Sequence, residues 1–345
     1  LIKMPENYFH NWMAFSFFSI YERIKNDNFN KLVIDVSVGQ NVYVISLVEA
    51  FRLLLTHYDI VNMIESDESK KIKGFILNSN RPVVEENKEY KIVLYQYDVN
   101  AFFVFPFSKD KDVKFFDILF NNEVGGEIKR KFNKKFDYKR INNAIGETRR
   151  AFNSIYYNAP LAFFDKDIID LDKLNDDYLK ELKVVFDEIV NENIEINFIT
   201  LRKAVLTFSF LEMLKKLRER EKVEEVDLDF LEKKFSDLYK KFGLSLNMRF
   251  LERDINEIRN IIRESKIKDG EWVCLSNFFT KEKTEKKWGS SDEKRNFFAH
   301  SGFLREYVEI KKDGEKIFIR YIDAKKQGSD KTYKEIIKTF LCNPF

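Results

Sequence analysis

Apolar residues recur along the chain in two rhythms, and the change of rhythm divides it. From Tyr8 to Lys25 they fall at helical spacing: Phe9, Trp12, Met13, Phe15, Phe18, Ile20 and Ile24 predict a helix. Leu32–Val36 is then a continuous apolar run holding one Asp, the pattern of a buried parallel strand. Ser37-Val38-Gly39-Gln40-Asn41 reads as a turn and Val42–Tyr58 as a helix. Ile72–Leu77, Lys91–Val99 and Phe102–Phe105 predict further strands. Strands and helices in this sequence make residues 1–125 an open α/β domain, although no strand signal precedes Tyr8.

The middle of the chain is mixed. Lys129-Arg130-Lys131, Lys134-Lys135 and Lys139-Arg140 interleave with Phe132, Phe136 and Tyr138. Cations and rings together can hold single-stranded RNA by charge and stacking. The same run suits the solvated face of an amphipathic helix or linker, which is the reading preferred for it. Asn158–Asp170 has the only Pro between Pro106 and Pro344, so the domain connection is expected near it, within a connecting region over 126–175. From there the rhythm is helical: Asp176–Glu192, Phe198–Arg220, Asp227–Phe242 and Leu246–Ser265, with Gly243 separating the last two. Followed by a short helix around Lys294–Gly302, these predict an all-α bundle over 176–345. Tyr307–Ile310 and Lys316–Ile322, joined at Asp313-Gly314, predict a small β-hairpin inserted in it, and Asp330–Leu341 a last helix.

Composition narrows the class. In 345 residues, 44% are apolar and 35 are Phe, while Gly (11) and Pro (5) are scarce, which suits a helix-rich protein with few long loops. The 60 basic and 57 acidic residues leave a net +3, so there is no global pull towards nucleic acid, and any RNA contact must use local patches. Cys274 and Cys342 make no disulfide framework and suit a reducing cytoplasm. No signal peptide opens the chain, and the apolar run Ala101–Phe107 is far shorter than the roughly 20 residues of a spanning helix. The expectation is therefore a soluble cytoplasmic protein with no membrane contact. His10 and His57 lie in helical apolar patterns and are read as structural. Neither cysteine has a partner at zinc spacing, and there is no phosphate-binding GxxxxGK[ST] loop, so no metal and no cofactor are expected.

The stretch with the most chemistry is Lys294–Gly302, KRNFFAHSG. Ser290 and Glu293 fit a capping box that starts a helix, and Gly302 before Phe303 suits a left-handed stop. On that helix Asn296 and His300 lie one turn apart, with Arg295 about 100° around from Asn296. Phe297, Phe298 and Ala299 are expected to face packing. These residue types suit metal-free RNA cleavage. A 2′-hydroxyl attacks the adjacent phosphorus, a histidine moves protons near neutrality, and an arginine fork meets the charge gathering on phosphorus. The plainer reading makes Arg295 a surface ion-pair residue and His300 a helix cap. Lys281, Lys283, Lys286, Lys287 and Lys294 are placed to guide phosphates towards Arg295, or equally to solubilise a loop.

The fuller string RNFFAHSG resembles the R-N-x-x-x-H signature of HEPN ribonucleases. Upstream, Asp35–Asn41 (DVSVGQN) resembles the D-x-[ST]-x-G-x-N loop of CARF domains, Rossmann-like sensors of cyclic oligoadenylates in type III CRISPR defence. Physically, a strand, a small-residue loop and a helix N-terminus form the arrangement in which α/β folds hold phosphates. Gly39 lets backbone approach a ligand, Ser37 and Asn41 can hydrogen-bond phosphate, ribose or adenine, and Asp35 orients the loop. An ordinary strand–helix turn with capping residues fits the same letters, and Val38 stands where the family often has His. In their order the two motifs resemble the CARF–HEPN ribonucleases of type III CRISPR systems.

That resemblance implies an N-terminal CARF domain and a C-terminal HEPN bundle. It implies a metal-independent endoribonuclease acting on single-stranded RNA, with Arg295, Asn296 and His300 catalytic and Lys286, Lys287 and Lys294 as RNA contacts. It also implies a cyclic oligoadenylate activator, the tetramer being the expected ring size, held by Asp35, Ser37, Gly39, Gln40 and Asn41. The assembly implied is a homodimer or a higher oligomer of dimers. Two other classes stay open: a CARF sensor whose bundle is regulatory and not catalytic, and a HEPN ribonuclease toxin indifferent to cyclic nucleotides.

Overall fold

The computed structural model describes residues 9–37, 40–65, 71–79, 92–107, 119, 126–174, 177–220, 225–265, 267–279 and 290–344. In chain order the elements are α1 (Phe9–Ile24), β1 (Lys31–Asp35), α2 (Asn41–Val61), β2 (Lys73–Ser79), β3 (Ile92–Tyr97), α3 (Gly126–Lys135), α4 (Tyr138–Tyr156), α5 (Pro160–Phe164), α6 (Tyr178–Asn191), α7 (Phe198–Arg220), β4 (Val226–Asp227), α8 (Leu228–Lys241), α9 (Ser245–Glu264), β5 (Trp272–Cys274), α10 (Ser290–Ala299), β6 (Val308–Asp313), β7 (Lys316–Tyr321) and α11 (Tyr333–Cys342). They divide into two compact units, one of residues 1–145 and 175–213, the other of 146–174 and 214–345. The long helices expected to form one bundle are shared out: α6 and the first part of α7 group with the N-terminal strands, α8 and α9 with the motif helix.

The first unit is α/β. Its sheet runs β1-β2-β3, with β1 parallel to β2 (Lys31 opposite Lys73) and β2 antiparallel to β3 (Gly74 opposite Tyr97). Ile34, Phe51 and Leu55 form the core between sheet and α2, joined by Ile76 and Tyr97. The helix lies so close on the sheet that a Cβ on Gly74 would run into the Leu55 side chain and stand 3.2 Å from Phe51 Cζ. His57 on α2 is buried with its Nδ1 2.8 Å from the Ser209 hydroxyl, a structural use of the ring.

Two sequence expectations fail in this unit. The run 32–36 is not a strand buried on both faces: Val33 is 49% exposed and Ile34 is its buried member. With only β2 beside it among the described residues, β1 is covered mainly by α2. Phe102–Phe105 forms no strand. Phe103 is instead buried against Phe210, their rings 5.8 Å apart, so the aromatic run serves packing without a ladder. The basic–aromatic run forms α3 and the start of α4; Phe132 is buried, Lys131 pairs with Glu192, and Lys135 reaches Glu188 of α6 at 2.6 Å.

Among the described residues the second unit carries a four-stranded antiparallel sheet in the order β4-β7-β6-β5. Asp313 pairs with Lys316, so the hairpin turns on Gly314-Glu315, one residue later than expected, with Gly314 at φ +61. β4 and β5, two and three residues long, are too short to show an alternation in sequence. Asn158–Asp170 does not run free as a connection. Pro160 opens α5 at the first helical position, and Leu161, Phe163, Ile168 and Ile169 are buried, with Phe163 against Phe235 of α8. The last helix begins at Tyr333 because Thr332 and Glu335 form a capping box there.

Candidate functional site

The motif helix α10 is fixed by two phenylalanines. Phe297 is fully buried, with ring centroids 5.6 Å from Phe340 and 6.4 Å from Tyr321, and Phe298 packs 5.7 Å from Tyr157. Arg295 and His300 are exposed, and Asn296 is half-buried. The His300 amide bonds to the Asn296 carbonyl at 3.0 Å, so the two residues stack one turn apart as their spacing requires. Ala299 was expected in the packing and is exposed instead. It stands four residues after Arg295 and three after Asn296, and so shares their face.

Both ends of α10 differ in detail from the sequence expectation. The helix already includes Ser290, whose side chain lies outside the described residues, and the Glu293 carboxylate accepts from the Tyr307 hydroxyl at 2.5 Å and pairs with Lys326. Burial, with Glu293 beside it, pushes the Tyr307 phenol up. At the other end the Gly302 amide bonds the Phe297 carbonyl at 2.8 Å and Phe303 that of His300 at 2.7 Å. Gly302 is left-handed at φ +78 as expected, but the turn already starts at Ser301, with φ +52.

Behind His300 lies a group of polar residues that sequence reasoning missed. Asp254 of α9 is 4% exposed, and its Oδ1 is 3.8 Å from His300 Nδ1. The Ser301 hydroxyl donates to Asp254 Oδ2 at 2.7 Å, and Arg253 donates to Oδ1 from Nε at 2.9 Å and Nη2 at 2.7 Å. Arg253 Nη2 also reaches the Ala299 carbonyl at 3.1 Å. Asn158 Nδ2 donates to Ser301 Oγ at 3.0 Å, and the Tyr239 hydroxyl to Asn158 Oδ1 at 3.1 Å. Complete burial pushes the Tyr239 phenol well up, so it remains a donor. One signal could have found Asp254: it interrupts the apolar stripe Leu251, Ile255, Ile258 and Ile262, where a carboxylate is out of place unless partnered. Lys294, a sequence candidate for RNA contact, donates from its ammonium to the Asn343 carbonyl at 3.0 Å. Lys286 and Lys287 lie outside the described residues.

In the first unit the loop after β1 is built as follows. The Ser37 amide donates to Asp35 Oδ1 at 2.8 Å, so Asp35 braces the turn. Ser37 Oγ accepts from the Ser79 amide at the end of β2, at 2.7 Å, which leaves its own hydrogen to donate. Gln40 caps α2 with its backbone, its carbonyl accepting from Tyr43 and Val44. Asn41 opens the helix, and both Gln40 and Asn41 are exposed. Gly39 lies outside the described residues. The loop thus presents a hydroxyl, an exposed carboxamide on Asn41 and a helix N-terminus together, the donor set an anion meets favourably.

Among the described residues no group of three or more His, Cys, Asp and Glu is placed to hold a metal ion, and no helix is long and apolar enough to cross a membrane. A family model described as CRISPR system endoribonuclease Csx1, CARF domain, matches residues 3–82, and one described as CRISPR system endoribonuclease Csx1, HEPN domain, matches residues 244–325. The first takes in β1, the loop, α2 and β2; the second takes in α9, the motif helix and the hairpin. No curated protein matches the chain.

Proposed function

We propose, for a chain that belongs to the CARF–HEPN endoribonucleases of CRISPR systems, a metal-independent cleavage of single-stranded RNA switched on by a cyclic oligoadenylate in type III antiviral defence. The observation that carries the reading is the face of α10. Phe297 and Phe298 lock the helix into the core, while Arg295 and His300 stay exposed on its outer side, with the half-buried Asn296 between them. A fixed cation beside an imidazole suits the reaction. The 2′-oxygen forms a bond to phosphorus as the bond from phosphorus to the 5′-oxygen breaks; the 2′-hydroxyl gives up a proton and the 5′-oxygen receives one. Arg295 meets the charge on the phosphoryl oxygens, and Asn296 orients the group. One imidazole cannot readily act as base and acid in the same step, so two copies of the motif facing one phosphate, in a homodimer, complete the machinery.

The activator binds at the other unit's loop, through Ser37, Asn41 and the loop amides, with Gly39 allowing close approach. Two-fold pairing of that loop suits a symmetric ring, and the tetramer is the ring we assign. Incubating the purified protein with a single-stranded RNA, cyclic tetra-adenylate and EDTA tests the chemistry. Products should end in 2′,3′-cyclic phosphate or 3′-phosphate. Products beginning with 5′-phosphate, or a strict need for Mg²⁺, would contradict the reading.

A further inference from the structure

We propose that Asp254 is the positioning residue of His300, turning the imidazole so that Nδ1 faces the protein and Nε2 faces the RNA. The inference rests on the ribonuclease reading for its kinetic consequence, but its geometry stands apart from it. Asp254 is a buried carboxylate whose two oxygens are unequally used. Oδ2 is held by the Ser301 hydroxyl, while Oδ1 meets Arg253 on one side and His300 Nδ1, at 3.8 Å, on the other.

Burying a carboxylate on the apolar stripe of α9 is unfavourable unless donors surround it. The donors here run in one direction. Tyr239 donates to Asn158, Asn158 to Ser301, and Ser301 to Asp254, so both hydroxyl hydrogens are committed and the chain ends on the carboxylate. Two of its members, Asn158 at φ +59 and Ser301 at φ +52, sit in the left-handed region that side chains rarely adopt. Strained backbone is retained at Ser301, immediately after His300, and Asn158, a residue type that adopts this conformation readily, holds Ser301 through its amide. The network therefore fixes the position of a charge that a bland helix packing would not need.

His300 is half exposed and has two ring nitrogens that could carry the proton. A carboxylate on the Nδ1 side favours hydrogen there, and this leaves the Nε2 lone pair free to accept from a 2′-hydroxyl. A separation of 3.8 Å closes to a hydrogen bond by a small ring rotation when substrate fills the face, as positioning contacts commonly tighten only in the complex.

The chain has only three histidines, so ¹⁵N-histidine labelling gives a readable long-range ¹H–¹⁵N spectrum, and His300→Ala assigns the signal. In the wild type His300 should show the Nδ1-protonated tautomer. In Asp254→Asn that preference should be lost, and kcat at saturating activator should fall by about tenfold or more with KM little changed. Should Asp254→Asn fail to fold, Ser301→Ala, which keeps the carboxylate but removes its buried donor, should show the same two changes to a smaller extent. An unaltered tautomer in folded Asp254→Asn protein overturns the proposal, whatever happens to the rate. So does an unaltered kcat. A wild-type protein that cleaves no RNA with any activator overturns the ribonuclease reading instead, and the tautomer measurement still decides the role of Asp254.

Discussion

Asn158 Nδ2 donates to the Ser301 hydroxyl oxygen across 3.0 Å, although each residue sits in a left-handed backbone conformation and 143 positions separate them. The bond joins the segment that enters α5 to the turn that ends the motif helix. Gly302, the next residue, is pressed against the same segment: a Cβ there would stand 2.8 Å from the Tyr321 hydroxyl oxygen and 3.2 Å from Ala159. The turn that ends the motif helix is therefore tightly packed from behind.

Gly302→Ala should destabilise the fold by more than a comparable glycine elsewhere. Strain at φ +78 alone costs about 1–2 kcal/mol, and the steric conflict adds to it. Gly328→Ala is the control, since Gly328 has φ +75 but nothing within 4 Å of the added Cβ. Denaturant unfolding of both variants should show the larger loss at Gly302; equal losses would mean that the close approach is unimportant.

Arg295→Ala and His300→Ala should each lower RNA cleavage at least about a hundredfold, by removing charge stabilisation or proton transfer. Both residues are exposed, so melting temperature and secondary structure should stay at wild-type values. Asn296→Ala should lose less. A correctly folded His300→Ala protein that cleaves at the wild-type rate would remove the assignment.

An RNA whose nucleotide 5′ of the cut carries a 2′-deoxy sugar should resist cleavage there, because the nucleophile is absent. Cutting at that bond with undiminished rate would point to water as the nucleophile and to a different mechanism.

Much of this was legible in the chain and some was not. Helices long enough to repeat their apolar spacing, such as α7 over Phe198–Arg220, stand where periodicity put them. The motif face was also readable, because Arg295, Asn296 and His300 are close in sequence and only one helix geometry connects them. Other features were hidden because their cause is tertiary. β4 and β5 are too short to carry a pattern and exist through pairing with β7 and β6. Pro160 looked like a connector and is the first residue of a buried helix. Asp254, Ser301, Asn158 and Tyr239 come from segments far apart in the chain, and only folding brings them together behind His300.

The loop after β1 yields a prediction about regulation. Asn41→Ala should weaken activator binding by about 1–2 kcal/mol per site through the lost polar contact. Because a two-fold pocket suffers the change twice, the shift in activator requirement should approach about a hundredfold. The fully activated rate should stay the same, because saturating activator still populates the active state and Asn41 is not part of the ribonuclease site. Ser37→Ala should act in the same direction, with an added loop effect, since Ser37 Oγ also accepts from the Ser79 amide.

The most direct measurement is the rate of cleavage of one single-stranded RNA in EDTA, titrated with cyclic oligoadenylates of several ring sizes, for wild type and Asn41→Ala. The account predicts that one ring, the tetramer, raises the wild-type rate strongly, and that Asn41→Ala reaches the same maximum only at far higher concentration. Cleavage that no ring size stimulates, or identical activation curves for the two proteins, would contradict it.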